Sequence, residues 1–419
     1  MKVTLLTYGS RGDIQPFVAL AKGLQSAGHN VRLAAPYRFK DFVTDYAVPF
    51  VPLAGDPEEL SSQLNDARSN VFRMIKNMSD YVRSIATDVA RVAFAACDDA
   101  ELIVHSFLFT TGAHSLARAR GIPDVSIQGF PVFTPTQAFP MVAMAKIPRG
   151  KLSYFSHWLG TEIFWQVGNA GYRQLRKQAP DVFNLKLIWP WRNSNFLQPP
   201  LIYAYSPHVL PRPVDWDAQY IHIPGYFFLD TMVGYQAPQS LADFLGEGEP
   251  PVCVTFGSMV NQEAERIQRL VLQALRAASQ RVILLSGWGS ELVSNADGSV
   301  LTINSSPHDW LFPRCKAVIH HGGAGTTGAV FRAGIPQLII PHGMDQSFWG
   351  KQAAISGAGA WPIEINRLSE TILVKAIHQL ELPKIRLQAQ RIGEEIRAED
   401  GVGQAVRIIE RYATDFKSV

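Results

Sequence analysis

The sequence predicts an α/β protein built from two Rossmann-like, parallel-sheet domains, and three observations carry that prediction. The chain has 419 residues, more than one hydrophobic core usually serves. A short apolar run, a glycine turn and an amphipathic helix follow one another at the N-terminus and again after residue 251, the order of a doubly wound sheet. Between the two series lies a stretch rich in Gly and Pro without sustained periodicity, 225–250, which suits an interdomain linker.

The elements follow in chain order. Lys2 to Tyr8 reads as a strand, Gly9 to Asp13 as a glycine turn, and Phe17, Leu20, Ala21 and Leu24 recur at helical spacing until Gly28 closes the segment. Asn30 to Ala35 is the next strand and Tyr37 to Tyr46 the next helix; Asn70 to Cys97 is a long helical stretch, Leu102 to His105 a strand, Thr110 to Arg120 a helix and Asp124 to Gln128 a strand. From about 141 to 192 the alternation lapses. Between Lys146 and Arg192 eight Lys or Arg stand against two acids, Glu162 and Asp181, among many aromatic residues. This reads as a lid-like insertion in the first domain, 1–224. After the linker, Pro251 to Phe256, Arg281 to Ser286, Leu301 to Asn304, Ala317 to His320 and Gln337 to Ile340 supply strands, with a helix over Gln262 to Ser279. The second domain spans 251–400. A closing helix, 401–419, is offered as a brace that crosses back to the first domain.

Composition excludes several classes. At 47% hydrophobic and 18% charged the chain has ample apolar material for a core, so it is not a disordered protein. A net charge of +3 is too small for a nucleic-acid binder of this size. Cys97, Cys253 and Cys315 are too far apart for a CxxC site or a disulfide framework, and a reducing, cytoplasmic setting fits. No run approaches the roughly 20 apolar residues of a membrane span, so the expectation is a soluble or membrane-peripheral protein. Without HExxH or comparable spacing, no metal site is expected.

The chemistry-bearing stretch is His320-His321-Gly322-Gly323-Ala324-Gly325-Thr326-Thr327, after a strand and at a helix start. Glycines let backbone N–H groups approach a ligand, and uncapped amides at the positive end of a helix dipole favour phosphate oxygens. It is neither a Walker loop nor GxGxxG; the plain alternative is a glycine-rich helix start with a satisfied histidine. Ser258, after the first strand of the second domain, is a further phosphate contact or an ordinary N-cap. Asp345 and Gln346, after a later strand, offer acceptors and donors suited to neighbouring sugar hydroxyls, or cap the next helix. Three strand ends converging on one crevice put a phosphate beside a polyhydroxylated group.

GSRGDIQP at Gly9 to Pro16, YAYSPHVLPRPVDW at Tyr203 to Trp216, GYFFLD at Gly225 to Asp230, VTFGSM at Val254 to Met259, and then PHDWLFP, HHGGAGTT and DQSFWG resemble the nucleotide-sugar-dependent glycosyltransferases of the sterol glucosyltransferase and antibiotic glycosyltransferase group. The resemblance implies the GT-B fold, two facing Rossmann-like domains with a cleft between them. It also implies an acceptor in the first domain, the sugar nucleotide mainly in the second, and inversion without a required metal. On that mapping His320, Gly322, Gly323, Gly325, Thr326 and Ser258 meet the diphosphate, and Asp345 with Gln346 the sugar. The co-substrate is a UDP-sugar or a dTDP-sugar. Plant members carry a tryptophan that stacks on uracil where this chain has Ser305, and a ribose-binding glutamate where it has Gly328, so both nucleobases stay open.

Asp13 stands where plant members have a histidine. It is the expected general base, since the acceptor hydroxyl must lose its proton as it attacks; the alternative is a cap for the helix that follows. His105 stands where those members carry the aspartate supporting their histidine, and is expected as the neighbour of Asp13. Ser10, Arg11, Trp158 and Trp165 are expected on the acceptor side, and the basic, aromatic insertion as the acceptor lid and a peripheral contact with anionic membrane. The favoured reaction moves glucose from UDP-glucose to a hydroxyl of a hydrophobic acceptor. Its rivals are a nucleotide-sugar epimerase and a non-catalytic sugar-nucleotide-binding protein.

Overall fold

The computed structural model describes residues 1–56, 84–144, 147–178, 180, 183–191, 197–231, 234–256, 262–285, 298–343 and 345–418. It divides into two units. The first comprises Met1–Tyr205, Arg212–Leu229 and Asp400–Val419; the second comprises Ser206–Pro211 and Asp230–Glu399.

The first unit runs β1 (Lys2–Leu6), α1 (Arg11–Ser26), β2 (Asn30–Pro36), α2 (Lys40–Asp45), β3 (Phe50–Leu53), β4 (Leu102–His105), α3 (Thr110–Arg120), β5 (Asp124–Gln128), α4 (Lys151–Gln178), β6 (Leu201–Tyr203) and β7 (Ile221–His222). Its sheet has the order β3-β2-β1-β4-β5-β6-β7, parallel throughout, with Val3 opposite Val31 on one side and Leu102 on the other. These strands are near-continuous apolar runs because helices cover both faces. The α1 stripe of Phe17, Leu20, Ala21 and Leu24 packs into the core with Leu5, Val31 and Val104. Leu20 and Leu24 are fully buried, each worth about 1.5–3 kcal/mol in removed apolar surface.

The second unit runs α5 (Gln239–Gly246), β8 (Val252–Thr255), α6 (Gln262–Ala277), β9 (Val282–Leu285), β10 (Val300–Ile303), α7 (His308–Leu311), β11 (Ala317–His320), α8 (Ala324–Ala333), β12 (Gln337–Ile339), α9 (Gln346–Ile355), α10 (Glu370–Leu380) and α11 (Pro383–Arg397). Its sheet has the order β10-β9-β8-β11-β12, again parallel. On α6 the residues Ile267, Val271, Ala274 and Leu275 are fully buried, as their spacing requires. The chain then returns to the first unit as α12 (Gly401–Lys417), where Val402 packs so close to Gly23 of α1 that no Cβ fits there.

Three features depart from the sequence reading. β3, β6 and β7 were not foreseen: they are two to four residues long, and β3 contains Pro52. The Gly- and Pro-rich stretch is not one linker, because Gln239–Gly246 forms a helix whose Leu241 is fully buried in the second unit's core. Gly234 and Gly248, on either side, take positive φ of 92° and 63°, which glycine adopts at little cost. Of the expected 70–97 helix, residues 84–95 are helical; 70–83 lie outside the described residues.

Candidate functional site

The carboxyl edge of the second sheet brings β11 and β12 side by side, and their loops meet at Gly322. That residue has φ +93°, and a Cβ there would lie 2.6 Å from Ile339 Cγ2 and 3.0 Å from the Gln346 carbonyl, so only glycine fits. Gly323 is the N-cap of α8 and makes no side-chain cap bond, and the first turn of α8 holds no acid. Its leading amides and dipole are therefore uncompensated by any carboxylate of that turn. Thr327 turns inward and bonds the Gly323 carbonyl at 2.9 Å, whereas Gly325 is exposed and Thr326 half-buried.

The two histidines before this turn differ. His320 is fully buried. Its Nδ1 accepts from the Gly322 N–H at 3.1 Å, which places the proton on Nε2, and Nε2 donates to Gln337 Oε1 at 2.9 Å. Burial, reinforced by His321, pushes its pKa down to about 3. Both ring nitrogens are thus engaged within the protein, at Gly322 and Gln337, and His320 orders the turn, whereas the sequence reading expects it to meet the diphosphate. Of the two rings, His321 keeps an unengaged buried nitrogen, since its Nδ1 has no hydrogen-bond partner among the described residues. Burial lowers its pKa to about 4, opposed by the Thr255 backbone, so it is neutral near pH 7. Alternation could have found it: the last strand residue points inward, so the next one turns toward the loop.

After β12, Gln346 Oε1 accepts from the backbone N–H groups of His342 at 2.7 Å and Gly343 at 3.2 Å. This fixes the side chain and leaves its amide NH2 as a donor. Asp345 is the residue before α9, and its Oδ2 accepts from Trp349 Nε1 at 2.9 Å. Ser258 lies outside the described residues.

In the first unit the loops after β1, β4 and β5 are neighbours, because those strands are adjacent in the sheet. Asp13 sits in the first turn of α1. Its Oδ2 accepts from the Ser10 N–H at 2.8 Å and from Ser10 Oγ at 3.0 Å, so it caps the helix through one oxygen, while among the described residues no other one donates to Oδ1. The side chain folds back on Gly9, where φ is +146° and a Cβ would collide with the carboxyl. Loss of solvent around the carboxyl raises the Asp13 pKa, against the Ser10 bonds that lower it; the exposure of the residue as a whole keeps that effect limited. Arg11 lies over the Phe42 ring at 4.6 Å.

His105 is placed otherwise than expected. It is fully buried, and Nε2 lies 3.0 Å from Asp124 Oδ2, with His114 Nδ1 2.9 Å from Asp124 Oδ1. The two imidazoles hold the Asp124 carboxyl well below the usual carboxylate range despite its burial. His105 therefore partners Asp124, not Asp13. Trp165 is half-buried against Trp189, ring centroids 5.6 Å apart, while Trp158 is 49% exposed and stacks on Phe155 at 5.5 Å. An aromatic wall that the sequence reading missed follows β4 and β5: Phe107 stacks on Phe133 at 5.4 Å, and Phe164 of α4 meets both at 4.5 and 5.0 Å. Its members are scattered over 107–191 and converge only in the fold. Among the described residues no group of three or more His, Cys, Asp or Glu is placed to hold a metal ion.

Residues 3–114 match the glycosyltransferase family 28 N-terminal domain, and residues 269–410 match the erythromycin biosynthesis protein CIII-like C-terminal domain. A sterol 3-beta-glucosyltransferase of Arabidopsis thaliana is 32% identical across 98% of this chain and 68% of its own length. The sterol 3-beta-glucosyltransferase of Candida albicans is 36% identical across 97% of this chain, which spans 27% of that protein. Among solved structures, the glycotransferase of kitacinnamycin superposes with a TM-score of 0.72 at 17% identity, covering 98% of this chain and 99% of its own. The calicheamicin glycosyltransferase CalG4 gives 0.68 at 16% identity, covering 99% and 98%.

Proposed function

The chain belongs to the sterol 3-beta-glucosyltransferase family, glycosyltransferases of the GT-B fold, and from that premise we propose that it moves glucose from UDP-glucose to a hydroxyl of a hydrophobic acceptor such as a sterol or a natural-product aglycone. The observation that carries the donor half is the α8 start: a helix N-terminus without an acid in its first turn, preceded by a neutral histidine with an unengaged nitrogen. There the α8 amides receive the diphosphate, His321 donates to it in the tautomer that carries its proton on Nδ1, His320 orders the turn, and the Gln346 amide with Asp345 reaches the sugar hydroxyls.

In the reaction the acceptor oxygen forms a bond to the anomeric carbon from the side opposite the diphosphate, and its proton passes to Asp13. The bond between that carbon and the diphosphate oxygen breaks, and its electron pair leaves with the UDP. Negative charge grows on the diphosphate as this happens, so donors aimed at it favour the transition state over the ground state. The partly exposed aromatic wall of Phe107 and Phe164 supplies an apolar face beside the Asp13 loop. The exposed row Leu152, Phe155, Trp158, Ile163 and Val167 on α4, each about half exposed or more, with Arg149 and Lys151 nearby, suits contact with an anionic membrane surface at the cytoplasmic side. No helix among the described residues is long and apolar enough to cross a membrane.

The test incubates the protein with UDP-glucose or dTDP-glucose and a panel of sterols and aglycones, and follows the mass of each acceptor. A hexose adduct formed with inversion is expected, together with a UDP-dependent rise in Tm. Release of a free sugar isomer without any adduct would favour an epimerase. Absence of both would leave a sugar-nucleotide binder.

A further inference from the structure

If the diphosphate sits at the end of β11 and the sugar reaches Asp345 and Gln346 beyond β12, the rest of the donor must run the opposite way, over β8 and β9 toward β10. The strand order β10-β9-β8-β11-β12 puts β10 three interstrand steps from β11, about 14 Å at roughly 4.8 Å per step. That is the reach of a nucleoside diphosphate measured from its phosphates to its base. Ligands of open parallel sheets lie over the carboxyl ends of the strands, and the loop after β10 begins with the exposed residues Asn304 and Ser305.

An aromatic ring waits at that loop. Tyr235 is half-buried, with its Oη 3.3 Å from Ser306 Oγ and its ring 5.6 Å from Trp310 at 66°. One face of Trp310 is already covered by the Arg314 guanidinium at 4.2 Å. Thr231 and Asp230, a few positions before Tyr235, are tied down: the Thr231 N–H and hydroxyl both donate to Asp309, the former at 2.8 Å, and Arg332 pairs with Asp230 at 2.7 Å. A ring held by the Ser306 hydrogen bond and the Trp310 edge contact loses little freedom when a second ring stacks on it, which is what makes it useful for binding.

We propose that Tyr235 is the stacking wall for the donor's pyrimidine base, with the Ser305 hydroxyl at the base edge. The assignment rests on the donor reading given above. It concerns specificity and binding: no bond is made or broken at Tyr235. Base-on-aromatic stacking of this kind changes affinity by roughly ten- to a hundredfold when the ring is removed.

Titration calorimetry with UDP, dTDP and inorganic diphosphate tests it on the full chain. Tyr235→Ala should bind UDP and dTDP at least about tenfold more weakly while its affinity for inorganic diphosphate stays within twofold of wild type. Tyr235→Phe keeps the ring and should keep the nucleotide affinity. Tyr235→Ala binding UDP like wild type would overturn the assignment and leave the donor reading standing. Parallel loss of UDP and inorganic diphosphate would also overturn it, since the residue would then be supporting the fold. If wild type binds none of the three, the donor reading fails and this assignment with it.

Discussion

The two units each carry a strand, a glycine turn and a helix, at Gly9–Asp13 and at His320–Thr326, and they finish that motif in opposite ways. In the first, the helix start is closed by its own acid: Asp13 takes both Ser10 donors on one oxygen and sets a negative charge where the α1 dipole is positive. In the second, α8 has neither a side-chain cap nor an acid in its first turn, and the flanking histidines are held neutral by burial. A closed turn repels a phosphate and presents a carboxylate oxygen; an open one attracts a phosphate and has no base to offer. Under the proposed function one local architecture serves either half of a group transfer, and the first-turn residues decide which.

The largest effect should come from disabling the closed turn. Asp13→Asn still caps α1, because Asn is nearly as good an N-terminal acceptor as Asp, but it cannot take a proton. Turnover at saturating donor and acceptor should fall by about 10² or more with UDP affinity unchanged; turnover within a few fold of wild type would remove Asp13 as base. Closing the open turn is the converse. Thr326→Asp puts a carboxylate into the first turn of α8, which should stabilise the helix slightly yet weaken UDP binding by about tenfold or more through like-charge repulsion. Equal or tighter UDP binding would show that the α8 start is not the anion seat.

Smaller changes separate the two histidines. His321→Ala should weaken UDP by about tenfold, the lower end for loss of one hydrogen bond to a charged group, at nearly constant Tm. His320→Ala should mainly lower stability, by about 1–3 kcal/mol, since it strands Gln337 and the Gly322 N–H. The reverse pattern would restore His320 as the ligand contact.

The smallest effect is in acid. His320 has a folded pKa of about 3 against about 6.5 when unfolded, so below 6.5 the unfolded chain binds the extra proton and stability falls as pH falls. Between pH 7 and 5.5 that is about 1 kcal/mol. His321 and His222, with pKa values lowered by burial to about 4, act in the same sense, so stability from urea melts should differ between the two pH values by more than His320's share, and by about 1 kcal/mol less in His320→Gln.

The alternation of apolar runs and glycine turns revealed most of both sheets, because parallel strands buried on two faces are written as continuous apolar sequence. Phe50–Leu53, Leu201–Tyr203 and Ile221–His222 escaped because such short segments carry too little periodicity to differ from loop, and their pairing comes from neighbouring strands. Motif spacing placed the His320 turn at a strand end and Asp13 at a helix start, as the structure has them, but it could not tell which of two adjacent histidines points inward. That depends on Gln337, which pairs with His320 across 17 positions. Nor could it foresee His105 meeting Asp124. The contact requires β4 and β5 to lie side by side, and only then does a carboxylate at the start of one strand reach an imidazole at the end of the other.

The first unit's third segment has a consequence for biosynthesis. Until Asp400–Val419 arrives, Gly23 and its neighbours on α1 lack the helix that covers them, although everything else α1 packs against has already been translated. At about 5–20 residues per second, the ribosome needs on the order of ten seconds or more to pass through Asp230–Glu399 in between. The second unit can therefore mature while the older one is still incomplete, and a nascent chain stalled in that interval would expose an apolar groove on its N-terminal half.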